Sequence, residues 1–141
     1  MRALSLPLLL SGLLAVSGPA FAYDYTVFQS PTGNIVCGMF DDGPDSGVRC
    51  DMYSMTVQSI TTPPPDCEFD WGSSFWIGAA ASRGGLACVS DPVAVPPIPT
   101  LGYGRSMTFG GVTCTSEKTG MTCKNSRGHG FSISKAKQRV F

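Results

Sequence analysis

The chain has 141 residues, of which 10 are basic, 10 are acidic and only 14% in all are charged. This balance counts against nucleic acid or an anionic membrane as the partner, because both bind basic surfaces. The length fits one domain, since two domains would each be too small to hold a core without covalent cross-links.

The N-terminal segment has the features of a secretory signal. Met1-Arg2 gives a positive start, residues 4–16 are mostly apolar, and Ala20-Phe21-Ala22 supplies the small residues that a signal peptidase recognises. The apolar run is shorter than the ~20 residues of a membrane span. We therefore predict a signal peptide at 1–22 and a single secreted or periplasmic domain at 23–141, with no membrane span in the mature chain.

The cysteines predict three disulfides, because all six lie in the mature segment and an exported protein meets an oxidising compartment. Apolar, β-prone runs flank the turn-forming residues 41–47, and this pattern indicates a hairpin. A second hairpin turns at 117–120, where Gly120 suits a positive φ. The two hairpins are either a diverged internal repeat or one solution reached twice. Folding them symmetrically gives the pairs Cys37–Cys50 and Cys114–Cys123, and leaves Cys67–Cys88.

A structural zinc is the alternative use of these cysteines. No Cys-x-x-Cys spacing occurs, and the chain has one histidine. Since zinc sites normally draw on such closely spaced ligands, we expect neither a structural metal nor a cofactor.

Short strand-like runs alternate with turn-forming clusters along the chain, namely at 25–28, 74–77, 85–89, 105–109 and 130–134. The proline-rich segments 61–65 and 92–99 cannot be central strands and should run over the surface. Only 134–140 has a helical composition. The sequence therefore predicts an all-β fold, a small antiparallel sandwich or barrel stapled by three disulfides, with at most a short C-terminal helix.

A set of short motifs follows the chain in a fixed order. The first half contains Ser30-Pro31-Thr32-Gly33-Asn34-Ile35-Val36-Cys37, Gly47-Val48-Arg49-Cys50 and Pro63-Pro64-Pro65. The second contains Trp71-Gly72, Tyr103-Gly104, Gly120-Met121-Thr122-Cys123 and Gly128-His129-Gly130-Phe131-Ser132-Ile133-Ser134.

Together these motifs resemble a family of small secreted bacterial proteins classed as a domain of unknown function. Two loops depart from the family pattern. Leu101-Gly102 stands where the family tends to have Leu-Pro, and the turn at 41–47 is long. The resemblance implies export and a disulfide-stapled architecture. It transfers no catalytic residue, because the family has no assigned activity.

His129 is the only histidine, so a mechanism that needs an imidazole must use it. It stands between two glycines without a partner in the sequence. No Gly-x-Ser-x-Gly elbow occurs, and every cysteine is assigned to a bridge. We therefore favour a structural His129 over a ligand-binding or catalytic one, and we predict that the protein is not an enzyme.

Three carboxylates at alternate positions, Asp66, Glu68 and Asp70, would share one face of an extended strand beside Trp71 and Trp76. Carboxylates next to aromatic rings suit sugar binding, Ca²⁺ binding or a glycosidase pair. The alternative is that they keep a strand edge soluble while the tryptophans pack in the core. With His129, these five are the possible ligand-binding residues.

The acidic turn at 41–47 is interpreted as a plain turn, because Gly43 and Pro44 break the ligand spacing of a calcium-binding loop.

Three classes of function remain. We prefer a non-enzymatic binding module of the bacterial periplasm or cell surface, whose partner is an unknown protein or carbohydrate of the cell envelope. The second is an inhibitor of a secreted hydrolase that presents residues 61–66 or 93–101 as a rigid loop. The third, a small hydrolase that uses His129, has the least support.

Export predicts a defined mature N-terminus. Expressed with its own leader, the protein should be cleaved after Ala22, because Ala20 and Ala22 supply the small residues of the cleavage site. N-terminal sequencing of the exported form should begin at Tyr23. Retention in the cytoplasm with free thiols would contradict the prediction.

Overall fold

The computed structural model describes residues 24–141, so the predicted signal peptide at 1–22 lies outside the described residues. Residues 24–141 form two five-stranded antiparallel sheets, each a meander in which consecutive strands are neighbours. The first sheet contains β1 (Asp24–Gln29), β2 (Ile35–Asp41), β3 (Gly47–Met52), β4 (Ser74–Gly78) and β5 (Gly85–Leu86). The second contains β6 (Ser106–Phe109), β7 (Val112–Glu117), β8 (Gly120–Asn125), β9 (Gly130–Ile133) and β10 (Gln138–Val140).

The three predicted disulfides are confirmed. Cys37–Cys50 joins directly opposed residues of β2 and β3, and Cys114–Cys123 joins directly opposed residues of β7 and β8. Their Cα atoms are 4.1 and 4.0 Å apart. Cys67–Cys88 ties the loop after β3 to the segment after β5. The first two bridges fix strand register, whereas the third closes a loop.

The two cross-strand disulfides meet at the centre of the core. The Sγ atoms of Cys50 and Cys123 lie 3.8 Å apart, and all four sulfurs belong to fully buried residues. Because these sulfurs are bonded in pairs, they offer no thiolate to a metal ion. The apolar side chains of both sheets close around them: Phe28, Ile35, Met39, Val48, Met52, Phe75, Ile77, Leu101, Val112, Met121, Phe131 and Ile133.

The two sheets repeat the same row of residues. In the first sheet Cys37, Cys50 and Phe75 stand opposite one another on β2, β3 and β4, and Cys114, Cys123 and Phe131 do so on β7, β8 and β9. The rows meet like to like, since Cys50 contacts Cys123 and the rings of Phe75 and Phe131 are 6.0 Å apart. The similarity between the halves therefore extends past the two hairpins to a third strand.

The proline-rich segment 92–99 runs over the outer face of the first sheet, as predicted for a non-strand. Tyr25 donates its hydroxyl hydrogen to the Val93 carbonyl (2.5 Å), and the Gln29 amide donates to the Pro99 carbonyl (2.8 Å). Val36 is only 1% exposed although it faces away from the core. Part of this outer face is therefore covered, while the rest stays open to solvent.

The C-terminal segment has a helical composition but no helix, within the predicted limit of at most a short one. Residues 134–140 do not form a helix: they form a turn closed by Ser134 and Lys137, followed by strand β10. The cause is long-range, because the amide of Gln138 bonds Ser59 Oγ (3.0 Å) and its side chain accepts from the Ser59 amide (2.8 Å). Helical composition could not outweigh these bonds and the pairing with β9.

Helical structure is limited in residues 24–141 to one 3-10 turn, Gly43–Asp45. β5 is also shorter than the predicted strand at 85–89. No helix within this range is long and apolar enough to cross a membrane.

Gly130 lies where its own backbone closely approaches that of β8. A Cβ built there would meet the Cys123 carbonyl oxygen at 1.8 Å, whereas a Cβ on Gly85 would meet nothing within 4 Å. We expect Gly130→Ala to lower the free energy of unfolding by about 1–3 kcal/mol or more, because the backbone must shift.

Denaturant unfolding with the disulfides intact measures this loss. Gly85→Ala is the matched control and should change stability by less than about 0.5 kcal/mol. Equal stability of the two variants would contradict the packing described here.

Candidate functional site

The three predicted carboxylates do not share a strand. Asp66, Glu68 and Asp70 lie in the irregular loop between β3 and β4, and all three are exposed. Asp66 has φ +54°, which turns the chain at that residue, and the Asp70 carbonyl accepts a hydrogen bond from the Val89 amide (3.0 Å). The prolines and the Cys67–Cys88 bridge shape this loop, so the alternation in the sequence does not produce a common face. Trp71 lies in the same loop.

His129 lies in the turn between β8 and β9, where the neighbouring Asn125 organises the backbone. The Asn125 side-chain oxygen accepts from the His129 amide (3.1 Å) and the Arg127 amide (3.0 Å). Its Nδ2 donates across the sandwich to the carbonyls of Gly78 (3.1 Å) and Ala81 (2.8 Å). The sequence reading missed Asn125, whose side chain is buried and joins the two sheets.

A row of aromatic rings lies on the open part of the first sheet's outer face. The ring centroids of Tyr25 and Phe40 are 4.8 Å apart, and those of Phe40 and Trp76 are 6.1 Å apart. Phe40 and Trp76 face outward because Met39, Phe75 and Ile77 take the core positions on either side. Of the predicted ligand-binding residues, Trp76 alone belongs to this row.

Gly47 makes room for the indole. It stands on β3 opposite both Phe40 and Gly78, and a Cβ there would meet the Trp76 ring at 2.7 Å. The ring therefore lies against the bare backbone of β3 and reaches toward Phe40.

A cleft of about 330 Å³ opens between these rings, lined mainly by apolar surface. Asp42 and Asp45 stand at its rim, on the β2–β3 turn that contains the 3-10 turn. Interpreting this segment as a plain turn was correct for its conformation but missed that it carries two carboxylates to the cleft. Both side chains are exposed, and none of the ion pairs and hydrogen bonds of residues 24–141 engages either carboxylate.

Arg49 also lines the cleft, but its positive charge is compensated by acidic residues of the protein. Its Nε and Nη2 donate to the two carboxylate oxygens of Asp51 at 2.8 and 2.9 Å, with both side chains close to 90% buried. Nη2 also donates to the Asp91 carbonyl, and Nη1 lies 3.8 Å from the Asp91 carboxylate. Asp51 in turn accepts from the Val93 amide (2.8 Å). The net charge at the mouth is therefore negative, since Arg49 is paired whereas the carboxylates of Asp42 and Asp45 are not paired within residues 24–141.

A second cleft, of about 420 Å³, lies where the β1–β2, β7–β8 and β9–β10 turns meet. Several motif residues line it, but their polar groups form hydrogen bonds that stabilise the local backbone. Ser30 Oγ accepts from the Ile35 amide (3.1 Å), and Asn34 Nδ2 donates to the Ser54 carbonyl (3.1 Å). Neither this cleft nor the aromatic cleft is lined by His129 or by residues 66–70.

Comparison with known proteins gives one match. A family model described as a family of unknown function (DUF6636) matches residues 8–141. No curated protein and no solved structure matches the chain.

The turn at 125–129 predicts different roles for its two polar side chains. His129→Ala keeps the backbone bonds of the turn and should change the free energy of unfolding by less than about 1 kcal/mol. Asn125→Ala removes four hydrogen bonds of a buried side chain and should cost about 2–4 kcal/mol. Thermal unfolding of both variants, alongside a panel of hydrolase substrates, tests this difference. A His129→Ala variant that is stable but loses a measurable turnover would contradict a structural His129.

Proposed function

The chain belongs to the DUF6636 family of unknown function, and from that premise we propose that it is an exported, non-enzymatic binding module of the bacterial periplasm or cell surface. Its ligand is a saccharide unit of the cell envelope, and the aromatic cleft of the first sheet is the binding site. The observation that carries the proposal is the pairing of outward-facing aromatic rings with two unpaired carboxylates around one open cleft.

The chemistry of the cleft matches a sugar ring. A pyranose presents C–H groups that pack on aromatic faces, and its equatorial hydroxyls donate hydrogen bonds to carboxylates. Phe40 and Trp76 supply the faces, while Asp42 and Asp45 supply the acceptors. A volume of about 330 Å³ is at the lower end of the range of small-molecule sites and suits one or two sugar units.

The charge of the cleft limits the kind of saccharide. Arg49 is neutralised by Asp51 and lies close to Asp91, so the rim presents an unbalanced negative charge. A ligand that carries carboxylate or phosphate at this point would be repelled by Asp42 and Asp45. Neutral sugars and amino sugars are therefore the expected ligands.

The cleft is formed in advance of binding. Arg49 is held by two hydrogen bonds to Asp51 and by two contacts to Asp91. The segment 91–93 is itself fastened to β1 through the bond from Tyr25 to Val93. Trp76 lies against β3 at Gly47. Since little ordering is needed, most of the contact energy should appear as affinity.

The carboxylates support binding rather than hydrolysis. Asp42 and Asp45 are both solvent-exposed at the rim. A glycosidase acid is typically held in an apolar environment that keeps it protonated near neutral pH.

The inhibitor remains the second candidate because of one loop. Val95 is 70% exposed, and the segment around it is held by Tyr25 at Val93 and by Gln29 at Ile98 and Pro99. A rigid, exposed loop of this kind can enter a protease cleft with little loss of entropy.

The two tryptophans allow a matched test of the saccharide site. Trp76→Ala should weaken binding of neutral and amino-sugar oligosaccharides by at least about tenfold, because aromatic anchors dominate such sites. Trp71→Ala should leave binding unchanged, since Trp71 does not line the cleft. Isothermal titration against an oligosaccharide panel measures the affinities, and thermal unfolding verifies folding.

A second variant, at an exposed residue, keeps the site testable if Trp76→Ala does not fold. Asp45→Asn keeps the shape of the rim and should lower affinity for amino sugars more than for neutral ones. Equal affinities for wild type, Trp76→Ala and Asp45→Asn would reject the saccharide site. Inhibition of a secreted hydrolase that Val95→Asp relieves and Trp76→Ala does not would favour the inhibitor.

A further inference from the structure

The near-zero net charge hides a separation of charge between the two halves. Residues 24–99, which include the first sheet, contain nine acidic and two basic side chains, a net of −7. Residues 100–141, which include the second sheet, contain one acidic and seven basic side chains, a net of +6. The overall balance therefore does not describe the surface that either sheet presents to a partner.

The outer face of the second sheet carries an ordered row of hydroxyl groups. Ser106, Thr115, Thr122 and Ser132 stand opposite one another on β6, β7, β8 and β9, and Arg139 completes the row on β10. Neighbouring hydroxyls bond in pairs, at 2.8 Å for Ser106–Thr115 and 3.0 Å for Thr122–Ser132. Four strand spacings of about 4.8 Å make the row about 19 Å long.

Three cations without acidic partners within residues 24–141 lie along this row or at its end. Lys124 is the next outward residue on β8, and Lys137 and Arg139 line a cleft of about 250 Å³ together with Ser132 and Ser134. The Arg139 guanidinium lies 4.7 Å from the Phe141 ring centroid, which supports the side chain on the sheet. Both ion pairs found in residues 24–141 belong to Arg49, so these three cations have no acidic partner.

We infer that this hydroxyl and cation face binds a linear anionic glycan, a polymer whose sugar hydroxyls alternate with phosphate, sulfate or carboxylate groups. The charge of the basic half is complementary to the polymer, and the hydroxyl row supplies both donors and acceptors to its sugars. The length of the row matches several sugar units. This site is separate from the aromatic cleft, whose acidic rim favours neutral sugars and amino sugars.

A glycan fits the face better than a nucleic acid. Single-stranded nucleic acids bind where bases stack on aromatic side chains. The row itself consists of Ser, Thr and Arg residues, and the nearby Phe141 ring is occupied by Arg139. Three bordering cations are also few for the phosphate contacts that dominate nucleic-acid affinity.

The test uses the double variant Lys137→Gln/Arg139→Gln, in which both residues are exposed and folding should be retained. Its affinity for heparin oligosaccharides and for polygalacturonate should fall by at least about tenfold at moderate salt, because two phosphate-like contacts are lost. The matched control Arg105→Gln/Arg127→Gln removes equal charge from exposed positions outside the cleft and should lose much less.

A second variant tests the hydroxyls at constant charge. Thr122→Val/Ser132→Ala keeps the strand and its cations and should also weaken glycan binding. Trp76→Ala should leave it unchanged, so failure here is distinguishable from failure of the aromatic site. Equal losses of affinity in the two charge variants would show that binding depends on general electrostatic attraction. This result would overturn the proposed site. Absence of binding to both polymers would overturn it too, as would single-stranded DNA binding more tightly than either polymer.

Discussion

Cys50 and Cys123 touch at the centre of the sandwich, and each is bonded to the cysteine directly opposite it on the neighbouring strand. A slip of one residue in either hairpin would turn every side chain to the other face of its sheet. The two bridges forbid that slip. They therefore decide not only which residues form the core but also which ones face solvent, and both proposed binding faces consist of the outward residues that this register leaves.

The contact between the bridges is one part of a like-to-like packing. Cys50 meets Cys123 and Phe75 approaches Phe131, although each pair comes from corresponding positions of two separate sheets. Such contacts are typical of the two-fold axis of a symmetric dimer, in which one surface packs on a copy of itself. The sandwich has the arrangement of such a dimer joined into one chain. Of the two interpretations of the Cys hairpins, this favours a diverged repeat.

The parts of the fold that local pattern decides could be predicted from the sequence. The two hairpins and their bridges followed from apolar runs around turn-forming residues, and the third bridge joined the two cysteines that were left. The helical composition of 134–140 did not produce a helix, because Gln138 is fixed by Ser59, a residue far away in the sequence. The candidate site was harder to predict than the fold. Trp76 was identified from the sequence, but Phe40 was not, because the two rings approach each other across β3 at Gly47. The role of this glycine becomes visible only when the strand pairing is known. The strand face expected at residues 66–70 is absent, because an isolated alternation does not make a strand.

The separation of acidic and basic side chains gives the molecule an electric dipole that points from the first sheet toward the second. Near a negatively charged surface such a dipole experiences a torque, and the second sheet turns toward that surface before any contact forms. The aromatic cleft, on the opposite outer face, then points away from the surface and stays open to solvent. The polarity of the sandwich would thus act on orientation as well as on attraction, and its influence would fall as ionic strength shortens the range of the field.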